Sequence, residues 1–153
     1  MTQEEKARAL FMQGYNCAQS VFAAFAEEMG MTQAQALRMA CGFGGGVGGR
    51  RQMCGAASAM VMVYGALRGY DEPLGAEPKA AHYAAVRQLL EQLEARFGTV
   101  SCRALLGLDE SVQVQEPSAR TQSYYDSRPC PDIVPAAAAM LAAWLQEHPK
   151  TEA

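Results

Sequence analysis

Five cysteines, at positions 17, 41, 54, 102 and 130, carry the most distinctive chemistry of this chain. A thiolate is both a nucleophile and a metal ligand, so such a set offers disulfide exchange or metal ligation. A second feature is the stretch CGFGGGVGGRRQMCG, residues 41–55, in which glycines and two arginines separate two of the cysteines. Gly44-x-Gly46-x-x-Gly49 matches the spacing of a dinucleotide fingerprint. A strand should precede such a motif, and residues 37–41 read as helix. A P-loop is ruled out because no Lys-Ser or Lys-Thr follows. Two readings of the run stay open. Its backbone amides, with Arg50 and Arg51, would form a nest for a small anion through Gly44, Gly45 and Gly46. Alternatively, the glycines let backbone pass closely beside Cys54. His82 and His148 stand alone, and no Ser-His-Asp or Cys-His arrangement can be read. The nine methionines read as core filler.

The chain has 153 residues, half of them hydrophobic and 19% charged, which suits one domain with one core. Its net charge of −3 and its pI of about 5.4 argue against a nucleic-acid partner. The longest basic run is Arg50–Arg51. No stretch of 18 apolar residues would span a membrane. The start, MTQEEKARAL, lacks the apolar segment of a secretory signal. A cytoplasmic location is therefore expected, where cysteines serve as reduced, metal-bound or catalytic thiols rather than as a disulfide framework.

The elements that must hold these groups are helical. Thr2 to Glu5 forms a capping box that opens a helix to about Met12. Asn16 and Gln19 repeat the pattern, followed by Val21, Phe22, Phe25 and Met29 at helical spacing and by Gly30. Thr32 opens a short third helix. Residues 54–68 read as a buried helix, 79–97 as an amphipathic one ending at Gly98, and 101–107 as one or two turns. Residues 108–129 are polar and aperiodic and read as a long surface loop. Pro131 suits the first turn of a last helix to about Gln146. The expected fold is all-α: one domain over 1–153, a bundle of about five main helices with a glycine-rich loop.

On this reading Cys17, Cys54, Cys102 and Cys130 all fall at helix N-termini, where free N–H groups and the helix dipole favour a thiolate. Cys41 falls at a helix C-terminus, where they disfavour one. Cys54, with Arg50 and Arg51 just upstream, is expected to have a lowered pKa and to alkylate early near neutral pH.

The four positions carry a resemblance. Gly14-Tyr15-Asn16-Cys17-Ala18-Gln19, Phe43-Gly44-Gly45-Gly46 leading into Cys54-Gly55-Ala56-Ala57-Ser58-Ala59, Ser101-Cys102 through Gly107, and Cys130 resemble, in order, the motifs of the C_GCAxxG_C_C family of redox-active proteins. Ala59 departs from the pattern, which has a second glycine there, and Cys41 has no counterpart in it. The resemblance implies redox activity carried by Cys17, Cys54, Cys102 and Cys130. Two mechanisms fit: thiol–disulfide exchange, or ligation of an iron–sulfur cluster by the four thiolates. Structural zinc ranks third, because close C-x₂₋₄-C pairs are missing. An alternative of another class is a non-redox module that binds a small anion through the glycine run with Arg50 and Arg51. The redox partner or small-molecule substrate is not specified by the sequence, and homo-oligomerisation stays open.

Overall fold

Helix starts in this chain are set by side chains that capture free backbone N–H groups. In the computed structural model, which describes residues 1–73 and 75–150, Thr2, Asn16 and Thr32 each cap a helix in a reciprocal box with Glu5, Gln19 and Gln35. The helices so opened are α1 (Gln3–Met12), α2 (Cys17–Ala24) and α3 (Gln33–Ala40). A single 3-10 turn and the glycine run lead to α4 (Gly55–Arg68). Then come α5 (Ala76–Phe97), α6 (Cys102–Leu105), α7 (Gln122–Ser127) and α8 (Cys130–Glu147).

The all-α class holds, with eight helices among the described residues rather than about five main ones. One reason is α7, which lies inside the segment 108–129 read from the sequence as loop. Thr121 caps it, accepting from the Tyr124 N–H at 3.2 Å, and Tyr124 and Tyr125 turn inward. Six residues are too few to show a hydrophobic period, so the polar composition concealed it. The second helix is shorter than its apolar pattern suggested. It ends at Ala24, and residues 25–30 form turns that keep Phe25 and Ala26 buried.

α2 lies at the centre and packs on α1, α3, α4 and α8. Its residues from Val21 to Ala24 are all buried, as expected of a helix apolar on every side. Small side chains bring its neighbours close: Ala56, Ala57 and Ala59 on α4, and Ala136, Ala137 and Ala138 on α8, are buried. α5 lies at the side, seated on α8 and α4, with Leu89 and Leu93 buried. No helix among the described residues is long and apolar enough to cross a membrane.

Short extended segments pair beside two of the cysteines. The N–H of Cys54 donates to Val100 O at 2.7 Å, and that of Cys102 to Gln52 O at 2.7 Å. Met53 and Ser101 form an antiparallel bridge between these two bonds. It ties the start of α4 to the start of α6.

Candidate functional site

The four motif cysteines stand at helix starts, and the fold brings those starts to one place. Cys17, Cys102 and Cys130 are the first residues of α2, α6 and α8, and Cys54 is the N-cap of α4. Asn16 fixes the first of them. Its Oδ1 accepts from the Gln19 N–H at 2.9 Å, and its Nδ2 donates to Cys41 O at 3.0 Å. Gly55 lets α4 start against α2: a Cβ there would lie 3.0 Å from Phe43 O, 3.1 Å from Ala18 N and 3.3 Å from Cys17 Cβ. A larger residue at position 55 would press on the start of α2 beside Cys17.

All four cysteines line one cavity of about 520 Å³, within the usual size range of small-molecule sites. The thiols in it are far from equivalent. The thiols of Cys17 and Cys130 are neighbours, and each is the largest influence on the other. Their interaction holds Cys17 well above the ordinary thiol range and lowers Cys130 to about 7. Burial raises Cys17 further. Burial opposes the shift at Cys130, and the guanidinium charges of Arg128 and Arg120 and its own N–H support it. The ring of Tyr124 lies between those arginines, 4.2 Å from the guanidinium of Arg128 and 4.4 Å from that of Arg120.

Cys54 overturns the sequence expectation. Burial pushes its thiol up to about 11, against the N–H groups of Ala57 and Ala56 that favour the thiolate. The two arginines upstream do not rescue it. Arg50 is exposed and lies off the cavity wall. Arg51 is 6% exposed and lines the cavity, but its Nη1 donates to Cys102 Sγ at 3.6 Å. Cys41, as expected, is set apart. It is exposed at the C-cap of α3, with its thiol on Arg38 O at 3.1 Å.

Gly44, Gly45 and Gly46 form part of the cavity wall. The chain runs left-handed from Gly45 to Gly49, and the amides of residues 48–52 all donate to carbonyls of residues 42–47. Those donors are satisfied within the loop. What the loop supplies is shape. Gly46, at φ +67°, packs so tightly that a Cβ would fall 2.5 Å from Gln52 N. The tight turn swings Arg51 inward and delivers residues 52–54 to their pairing with residues 100–102.

Among the described residues, no three cysteine, histidine or acidic side chains are grouped so as to hold a metal ion. Cys17 and Cys130 face each other, and Cys102 faces a guanidinium. Sequence reasoning missed Arg120, Tyr124 and Arg128. They sit in the segment that looked like loop, and only the Thr121 cap hinted at ordered structure there.

Comparison with known proteins agrees with the cysteine spacing. Residues 15–144 match the family described as "Putative redox-active protein (C_GCAxxG_C_C)". No curated protein and no solved structure matches the chain. Ala59, at the motif's second glycine, is fully buried in the core and off the cavity wall, so its methyl is taken up by helix packing. The match spans all four motif cysteines, and the chain belongs to the C_GCAxxG_C_C family.

Proposed function

We propose that this member of the C_GCAxxG_C_C family is a dithiol–disulfide oxidoreductase, with Cys130 the attacking thiolate and Cys17 the resolving thiol. One observation carries the reading: Cys17 and Cys130, the first residues of α2 and α8, meet on one cavity wall, where Cys17, Arg128 and Arg120 lower the Cys130 thiol to about 7. A thiol that titrates near ambient pH combines a useful thiolate fraction with good nucleophilicity. In the reducing direction Cys130 S⁻ attacks one sulfur of a substrate disulfide, and the other sulfur leaves as a thiolate. The Cys17 proton passes to that leaving group. Cys17 S⁻ then attacks Cys130 Sγ, closes a Cys17–Cys130 disulfide and releases the second thiol. Two electrons pass from the protein to the substrate. Cys54 stays protonated, and Cys102 stands beside Arg51 at the same cavity.

The test is to oxidise the reduced protein with substoichiometric diamide, block the free thiols and map the peptides. A Cys17–Cys130 linkage is expected as the first product, absent in Cys17→Ser and in Cys130→Ser. A different first pair would reassign the couple. Stoichiometric iron and sulfide in anaerobically purified protein would replace the reading with a cluster.

A further inference from the structure

The cavity around the thiols is cationic, and its positive charge lacks a counter-charge. Arg51, Arg120 and Arg128 all line it. None of the three is in an ion pair among the described residues; the ion pairs present are Lys6–Glu27 and Arg8–Glu4, both elsewhere. The one acidic side chain on the wall, Glu116, is exposed. Arg51 is nine-tenths buried with its Nε–H lacking an acceptor, and Arg120 Nη1 is buried without one as well. A buried guanidinium without a partner is costly, and a bound carboxylate is its natural complement. A thiolate at Cys130 supplies one negative charge and leaves the remainder uncompensated.

We propose that the substrate of this site is a low-molecular-mass disulfide bearing carboxylates, held by Arg51, Arg120 and Arg128 with its sulfur–sulfur bond against Cys130. The inference rests on the dithiol reading and adds the substrate class. The size of the cavity favours a small molecule. The segment 114–118 forms part of its wall, tied down by the Gln115 N–H on Gly49 O at 3.0 Å and by Arg128 Nη2 on Ser118 Oγ at 3.3 Å. A protein disulfide would have to displace that segment. The turnover is balanced: R–S–S–R and the two protein thiols give two R–SH and the Cys17–Cys130 disulfide. The first R–S⁻ leaves when Cys130 attacks, and the second when Cys17 resolves.

The experiment is single-turnover oxidation of the reduced full chain at pH 7.5 by three probes. Oxidised glutathione carries net negative charge, hydroxyethyl disulfide is neutral, and cystamine is positive. Oxidised glutathione should react at least about tenfold faster than hydroxyethyl disulfide, the gain expected of one charge-assisted hydrogen bond. Cystamine should be slowest, and added salt should shrink the spread. Arg128→Gln and Arg120→Gln should each lower the glutathione to hydroxyethyl ratio severalfold. The ratio is the deciding quantity, because both changes also make Cys130 less acidic and slow every probe alike. Should one variant fail to fold by circular dichroism, the other decides. Equal wild-type rates for the anionic and neutral probes, or a ratio unmoved in the folded variant, would overturn the substrate class. If none of the three probes yields a Cys17–Cys130 linkage, the dithiol reading itself falls.

Discussion

Cys54 and Cys130 both sit at the start of a long helix, yet their thiols are driven in opposite directions. The helix terminus helps the thiolate at both. Burial dominates at Cys54, which is 5% exposed, whereas Cys130 has the Cys17 thiol and two guanidiniums beside it. Iodoacetamide labelling with peptide mapping should therefore find Cys130 half-reactive near pH 7 and Cys54 unreactive until well above pH 9. Cys17→Ala removes the neighbouring thiol and should shift the Cys130 profile to higher pH; an unmoved profile would mean that the Cys17 contact does not set this acidity. Stability carries the opposite sign at Cys54. A thiol whose folded pKa is raised stabilises the fold fully below its unfolded pKa, and the benefit is lost as pH rises from about 9 through about 11. Cys54→Ala should flatten that alkaline loss relative to wild type by on the order of 2–3 kcal/mol, read from urea unfolding at pH 8 and pH 11.

At the scale of elements, the two glycine positions of the motif do different work. Gly55 sits where α4 meets α2 near Cys17, and a methyl there has no room. Gly55→Ala should destabilise by about 1–3 kcal/mol, the usual cost of overpacking, and should slow formation of the Cys17–Cys130 disulfide. Ala59 lies further along α4 in the core. Ala59→Gly, which restores the motif residue, should cost about 1 kcal/mol through helix propensity and leave thiol reactivity unchanged. Urea unfolding and single-turnover rates on both variants separate the two roles. If Ala59→Gly alters the Cys130 profile as much as Gly55→Ala does, packing alone does not account for the position.

Across the whole molecule, a Cys17–Cys130 disulfide would join the start of α2 to the start of the last helix, 113 positions apart in the sequence. Closing so long a loop restricts the unfolded chain, and the chain-entropy relation gives about 4–5 kcal/mol for it. The oxidised protein should thus unfold at higher urea than the reduced one, with Cys17→Ser insensitive to oxidation. A lower midpoint for the oxidised form would mean that native strain exceeds the entropic gain. The bond would tie α8 to the centre of the bundle, where α1 and α2 already pack on it.

Much of the fold was legible locally. Capping boxes at Thr2, Asn16 and Thr32, the apolar run after Cys54 and the stripe from residue 83 to residue 97 each depend on neighbours within one or two turns. Helix starts could therefore be read directly, and with them the common setting of Cys17, Cys54, Cys102 and Cys130. The family motif rests on that same local pattern. The tertiary structure decided which thiol is acidic. That depends on who lies across the cavity: Cys17 opposite Cys130, Arg128 and Arg120 delivered by a segment that looked like loop, and Arg51 turned toward Cys102 instead of Cys54. It also placed the amides of residues 48–52 on carbonyls of residues 42–47. Helix propensity and capping act over a few residues, whereas burial and charge act through space, between residues whose separation in sequence carries no record of their contact.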